Sequence, residues 1–92
     1  MIKRFQHAGL ERFFRRSDPR GIPTQCSSRI QRMLDVLDAA LRPEEMNMPG
    51  YRFHQLKGKR AGTYSVTVTG NLRITFAFDA EDATDVDLED YH

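Results

Sequence analysis

The chain has 92 residues, of which 39% are hydrophobic and 29% are charged, and this balance predicts one small domain over residues 1–92 with a single core. The start of the chain lacks the apolar stretch of a signal peptide and no apolar run is long enough to cross a bilayer, so we expect a cytoplasmic protein with no membrane partner. The formal net charge of +1 conceals an asymmetry, because residues 1–60 contain thirteen of the fourteen Lys and Arg, and the acidic remainder contains only Arg73.

Two helices are predicted after a short strand at residues 1–5. Over residues 8–16, apolar side chains recur at helical spacing, with charged side chains on the other face. The segment 17–21 contains proline and glycine, which disfavour continuing that helix, and Pro23 can begin a second helix that extends to Arg42. The second helix has one apolar stripe, formed by Ile30, Met33, Leu34, Leu37 and Leu41.

Strands are predicted in the second half of the chain. A loop at 43–50 precedes a strand near 51–56, and the segments 63–68 and 72–78 alternate with period two on either side of a glycine turn. A final strand lies around Val86. The predicted fold class is therefore α+β: an N-terminal strand, two helices and an antiparallel β-meander. The helices should cover one sheet face and leave the face with serine, threonine and arginine open.

Arg73 is the first candidate functional residue, since it lies on the polar face of its predicted strand in an acidic segment. It could pair with an acid on the neighbouring strand, or its planar group of five donors could hold a phosphate. The basic segment 54–60 could likewise be a solvated turn or a phosphate-binding surface.

The last residues of the chain are a further candidate. The final strand is followed closely by Asp90, Tyr91 and His92. Histidine can accept or donate a proton near neutral pH, and tyrosine can stack on an exposed base. Strict alternation would place His92 on the core side of the strand, so a functional role requires a bulge or the end of strand pairing.

The order of these elements and motifs resembles the HigB toxins of the RelE superfamily over the whole chain. Four motifs carry the resemblance: His54-x-Leu56-Lys57-Gly58-x-Arg60-x-Gly62, Ser65-Val66-x-Val68, Asn71-x-Arg73-Ile74-x-Phe76 and Glu89-Asp90-Tyr91-His92. The chain departs from the family pattern at Leu72, where members often have tryptophan. That departure lies on the apolar face and concerns packing.

The resemblance implies a RelE-like microbial RNase fold and ribosome-dependent cleavage of mRNA in the A site. It also implies a set of catalytic residues, namely His54, Lys57, Arg73, Asp90, Tyr91 and His92. A ribose 2′-OH would attack its own 3′-phosphate, with His92 as the preferred base and with His54 or Lys57 as acid or electrostatic support. Arg73 would hold the phosphate oxygens, Tyr91 would orient the nucleotide and Asp90 a neighbouring side chain.

The expected partners are the small ribosomal subunit, mRNA and a HigA-like helix-turn-helix antitoxin. We expect contacts with RNA or the ribosome from basic side chains at Lys57, Lys59, Arg60, Arg12, Arg15, Arg16 and Arg20.

No metal or other cofactor is expected. Cys26 is the only cysteine, and no cluster of potential ligands has the spacing of a metal site. The acids Asp85, Asp87 and Glu89 alternate with Val86 and Leu88, which is typical of a solvent-facing strand edge.

Two other functions remain open from the sequence. A ParE-like relative would poison DNA gyrase without cleaving RNA, and would not need His54, Lys57 and His92 together. A non-catalytic module that binds RNA or the ribosome would use the basic segment but would be indifferent to Arg73 and His92.

Overall fold

The structure, a computed structural model, describes residues 1–90. It contains two helices and four strands: α1 Ala8–Arg16, α2 Ser27–Ala39, β1 His54–Gln55, β2 Tyr64–Thr69, β3 Leu72–Asp79 and β4 Asp82–Asp90. The strands form one sheet in the order β1-β2-β3-β4, with every neighbouring pair antiparallel. This arrangement confirms the predicted α+β fold with two helices and a meander.

The first helix has the predicted bounds, and its ends show why. The Nδ1 atom of His7 accepts a hydrogen bond from the backbone N–H of Leu10 at 2.9 Å, and so caps the start of α1. Ser17 adopts a left-handed conformation with φ of 56° and ends the helix. Gly9 packs against Gly21 in the turn that follows α1. A Cβ atom added at Gly9 would lie 2.8 Å from the Cα atom of Gly21.

The second helix is shorter than predicted at both ends. A separate 3-10 turn, Thr24–Cys26, precedes it, and Ala40 leaves the helical conformation with a ψ of 141°. Leu41 was assigned to the apolar stripe, but it lies beyond the helix and is 55% exposed. The other four stripe residues are fully buried: Ile30, Met33, Leu34 and Leu37. Together with Leu10, Phe13 and the inward side chains of the strands, they form one core.

The predicted N-terminal strand at residues 1–5 is not confirmed as a regular strand. Residues 1–6 run parallel to β4, but only Ile2 and Phe5 form bridges, with Ala83 and Val86 respectively. Between these two partners, Asp85 has a φ of 53°, and the pairing of β3 with β4 shifts by one residue. This bulge interrupts the ladder, so the N-terminal segment forms two isolated bridges instead of a regular strand.

The connection between α2 and the sheet is held in place by Arg29. Its guanidinium donates to the carbonyl oxygens of Gly50, Thr67 and Val68 at 2.9, 3.1 and 2.7 Å.

The predicted strand near 51–56 is reduced to the two residues of β1, because Arg52 has a φ of 51°, which does not continue an extended backbone. No helix within residues 1–90 is both long and apolar enough to span a membrane.

Candidate active site

Two rows of side chains cross the polar face of the sheet. The strand pairing places four residues in the first row, which are His54, Ser65, Thr75 and Asp87. The second row contains Thr67, Arg73 and Glu89. Because successive side chains of a strand point to opposite faces, both rows lie on the side away from the apolar core. The sheet therefore brings His54 of the basic segment and Arg73 onto one surface.

Glu89 connects several side chains of this surface by hydrogen bonds. Its carboxylate accepts a bidentate pair of hydrogen bonds from Arg60 at 2.9 and 2.5 Å, one from Arg73 at 3.1 Å and one from the Thr75 hydroxyl at 2.6 Å. The hydrogen bonds from Arg60, with those from Thr75 and Arg73, lower the pKa of Glu89 to about 2, although partial burial opposes them. The same contact raises the pKa of Arg60 further above its ordinary value. Glu89 is therefore a stable anion that gathers three donors.

This cluster corrects two expectations. Glu89 was expected at a solvent-facing strand edge, but its side chain is only 20% exposed and is bonded to three residues. The polar face was expected to be open, yet Ser65 and Thr75 are 0% and 1% exposed. The physical reason is that Arg60 reaches from its turn to Glu89, so that the ion cluster lies against this part of the sheet.

Arg73 thus makes the cross-strand ion pair that the sequence allowed. Its side chain is 14% exposed and lies directly opposite Glu89. A guanidinium has five donors, so an ion pair with one carboxylate is compatible with binding a phosphate through others. Phosphate binding by Arg73 stays a prediction. Beside the cluster lies a cleft of about 210 Å³, whose lining includes Gln6, Asp87 and Glu89.

His54 is exposed at the edge of the sheet. Its Nδ1 atom lies 3.1 Å from the carbonyl oxygen of Arg52, and a carbonyl can only accept, so Nδ1 carries the hydrogen in a neutral ring. The Nε2 atom then has the lone pair and can accept a proton. His54 is two strands away from Arg73, a backbone separation across the sheet of roughly 10 Å.

The remaining predicted catalytic residues lie near the ends of these elements. Lys57 is exposed and immediately precedes the 3-10 turn Gly58–Arg60. Asp90 is opposite Leu72, the residue before Arg73, so the end of β4 lies next to Arg73 along the neighbouring strand. Tyr91 and His92 lie outside the described residues, and their proposed roles stay predictions.

The predicted binding residues fall into two groups. Lys59 and Arg60 belong to the turn beside the polar face and Lys57 immediately precedes it, and Arg60 is bonded to Glu89. The others belong to α1 and the turn after it, whose apolar side chains pack into the core on the opposite side of the sheet; they are Arg12, Arg15, Arg16 and Arg20. The structure therefore does not gather all seven basic side chains around Arg73.

Sequence reasoning missed Glu89 as a site residue. The available signal was an acid in the strand that follows Arg73, but the register could not be counted from the turn. Asp79 pairs with Asp82, and continuing that register without the extra residue at Asp85 would place Leu88 opposite Arg73. Among residues 1–90, no group of three or more His, Cys, Asp and Glu is arranged to hold a metal ion.

Comparison with known proteins assigns the family. The sequence model of the HigB-like toxins, described as RelE-like toxins of the type II toxin–antitoxin system HigB, matches residues 3–92. A curated relative from Proteus vulgaris, named Endoribonuclease HigB, is 44% identical over 92 residues, which is 100% of both chains. The chain therefore belongs to the HigB-like family of RelE-like toxins, whose type II systems pair each toxin with an antitoxin.

Proposed function

We propose that this protein is a cytoplasmic, single-domain toxin that cleaves mRNA in the A site of the small ribosomal subunit. The family and the name of the Proteus vulgaris relative support endoribonuclease activity. The observation that carries the proposal is the position of Arg73: it is mostly buried on the polar sheet face, beside the end of β4 and on the same surface as His54. A mostly buried arginine on the same surface as a candidate proton-transfer group is suited to phosphodiester cleavage.

The proposed reaction is an attack by the ribose 2′-OH on the adjacent 3′-phosphate. The 2′-oxygen forms a bond to phosphorus while the bond to the 5′-oxygen of the next nucleotide breaks. One side chain accepts the 2′-OH proton and another donates a proton to the leaving oxygen, which gives a 2′,3′-cyclic phosphate and a 5′-hydroxyl. No metal or other cofactor enters this scheme.

The roles follow from the chemistry of each side chain. Arg73 stabilises the charge on the non-bridging phosphate oxygens, with electrostatic support from Lys57. His92 is the preferred base, and His54, with its Nε2 lone pair, is the second proton-transfer group; Tyr91 stacks on a base and Asp90 orients a neighbouring side chain.

The proposed partners are the ribosome with its mRNA and a HigA-like helix-turn-helix antitoxin. Lys57 and Lys59 are exposed beside the polar face, and Arg60 lies between that face and solvent, so these three are suited to contact phosphates near the scissile bond. The arginines of α1 and its following turn would contact RNA or ribosomal surface farther from it: Arg12, Arg15, Arg16 and Arg20.

The test is a cleavage assay with purified protein, programmed ribosomes and end-labelled mRNA. We expect cuts in the A-site codon, with 2′,3′-cyclic phosphate and 5′-hydroxyl ends, and persistent cleavage in chelator when ribosome integrity is controlled separately. The His92→Ala variant should fold and bind ribosomes but cleave at least about a hundredfold more slowly. Absence of cleavage by the wild type, together with inhibition of DNA gyrase, would support the ParE-like alternative.

A further inference from the structure

The carboxylate of Glu89 uses its hydrogen-bonding capacity almost completely. A carboxylate has about four lone-pair sites, and Glu89 accepts four hydrogen bonds, from Arg60, Arg73 and Thr75. These donors come from a loop turn and from β3, whereas Glu89 itself lies on β4. One side chain therefore joins three parts of the polar face that are distant in sequence.

The same contacts indicate what Glu89 does not do. A carboxyl group with a pKa of about 2 is too weak a base to accept a proton efficiently near neutral pH. Replacing Glu89 by a substrate phosphate would break four hydrogen bonds, two of them bidentate from Arg60. Both a role as proton acceptor and displacement by the substrate are therefore disfavoured.

The cluster holds its two guanidinium groups against carboxylates. Arg60 and Arg73 share the carboxylate of Glu89, and Asp87 also acts electrostatically on Arg60. The Arg73 side chain is 14% exposed, and a guanidinium buried to this extent needs an anionic partner before the substrate arrives. Glu89 supplies that partner.

We propose that Glu89 is a positioning residue, which orients Arg73 toward the scissile phosphate and ties the Gly58–Arg60 turn to the same surface through Arg60. This inference rests on the proposed endonuclease function. Glu89 itself touches neither the substrate nor a transferred proton in this scheme. The alternative is an ion pair that stabilises the fold and has no influence on the rate of cleavage.

The test is a double-mutant cycle measured by single-turnover cleavage on programmed ribosomes. The Glu89→Gln variant keeps the shape and loses the charge. We expect its rate constant at saturating ribosome concentration to fall about ten- to a hundredfold, since small misplacements of a reacting group have effects of this size. Its ribosome affinity should change much less. In the Arg73→Ala background, the same substitution should have only the small further effect that passes through the Arg60 turn, because Glu89 acts on the rate mainly through Arg73.

Glu81→Gln is the matched control. It makes the same chemical change as Glu89→Gln, but Glu81 is an exposed residue of the turn between β3 and β4, outside both rows of the polar face. We expect this variant to cleave within about twofold of the wild type, a change of less than 0.5 kcal/mol on the usual conversion of rates. The acid limb of the pH–rate profile should remain in place in Glu89→Gln, whereas removing a proton acceptor would abolish it.

Each outcome has a definite consequence. If the wild type cleaves and Glu89→Gln cleaves equally fast, or if the Glu89 and Arg73 effects multiply, the positioning role is wrong and the endonuclease function stands. If the wild type does not cleave, the proposed function itself fails. If Glu89→Gln does not fold by circular dichroism, the Glu89→Asp variant replaces it, and the same dependence on Arg73 is expected of it.

Discussion

The protein has two regions rich in arginine, and they are built differently. On α1 and its following turn, Arg15 pairs with Glu11 four residues away, and Arg20 pairs with Asp18 two residues away. On the polar sheet face, Arg60 and Arg73 both bind Glu89, which is 29 and 16 residues away in sequence. The first kind of pair needs only a local turn of chain, while the second exists only when the whole sheet has formed.

Exposure sets Arg73 apart from the other arginines of these regions. Its side chain is 14% exposed, against 45% for Arg15, 85% for Arg20 and 45% for Arg60. Ion pairs in water contribute little because solvent screens them, whereas partly buried charges need their partners. The same residue type therefore provides exposed side chains suited to binding on α1 and, at Arg73, a mostly buried and pre-oriented group on the sheet.

The largest expected effect is on Arg73. Replacing it by alanine should lower the single-turnover rate of mRNA cleavage by about a hundredfold or more, as losing a charge stabiliser does. The affinity for ribosomes should change little. Arg15→Ala is the matched control from the other region and should leave the rate at saturation near the wild-type value. Equal effects of the two substitutions would remove the distinction between the regions.

The next effect concerns stability at low pH. Glu89 has a pKa of about 2 in the folded protein and an ordinary value of 4.5, so the stability it contributes is present above pH 4.5 and is lost as the pH falls toward 2. The shift corresponds to a contribution on the order of 1–3 kcal/mol at neutral pH. Denaturant unfolding of Glu89→Gln should therefore show lower stability at pH 7 and a smaller loss between pH 4.5 and 2.

Asp18 provides the comparison for that experiment. Hydrogen bonds from Arg20 lower the pKa of Asp18 to about 2 as well, but the pair is local and the Arg20 side chain is 85% exposed. Two residues so close in sequence can also interact in the unfolded chain, so the pH dependence of unfolding should change much less in Asp18→Asn. If Asp18→Asn and Glu89→Gln flatten the pH dependence equally, distance in sequence does not govern the contribution.

The smallest expected effect is on the salt dependence of ribosome binding. Substituting Arg16, an exposed residue of α1, should reduce the slope of log affinity against log salt by roughly one unit if it contacts one phosphate. Lys59→Ala should do the same from the other region. Filter binding over a series of salt concentrations measures both slopes. Unchanged slopes would show that these side chains contact no phosphate in the complex.

The fold was largely predictable because periodic apolar patterns report burial directly. The bounds of α1 and the hairpin from β2 to β3 followed from helical spacing, from period-two alternation and from Gly70 at the turn. The end of α2 was overestimated, since Leu41 continued the stripe in sequence but not in space.

The site was predictable only in part. His54, Lys57 and Arg73 lie along or beside one surface, as the motifs suggested, but the connection between Arg73, Arg60 and Glu89 depends on the bulge at Asp85. Counting from the turn between β3 and β4 misplaces the pairing by one residue, because of the extra residue at Asp85. The alternation of acids with Val86 and Leu88 indicates the face of Glu89 but not which residue of β3 it opposes.

The position of β4 has a consequence for the order in which the protein is made. This strand is synthesised after the other described elements, yet it lies inside the sheet, between β3 and residues 1–6. A chain released before Asp82 would lack two fully buried core residues, the partner of its own N-terminal segment and the carboxylate that binds Arg60 and Arg73. Interrupted translation should therefore yield a polypeptide destined for proteolysis, and toxicity should arise only from the completed molecule.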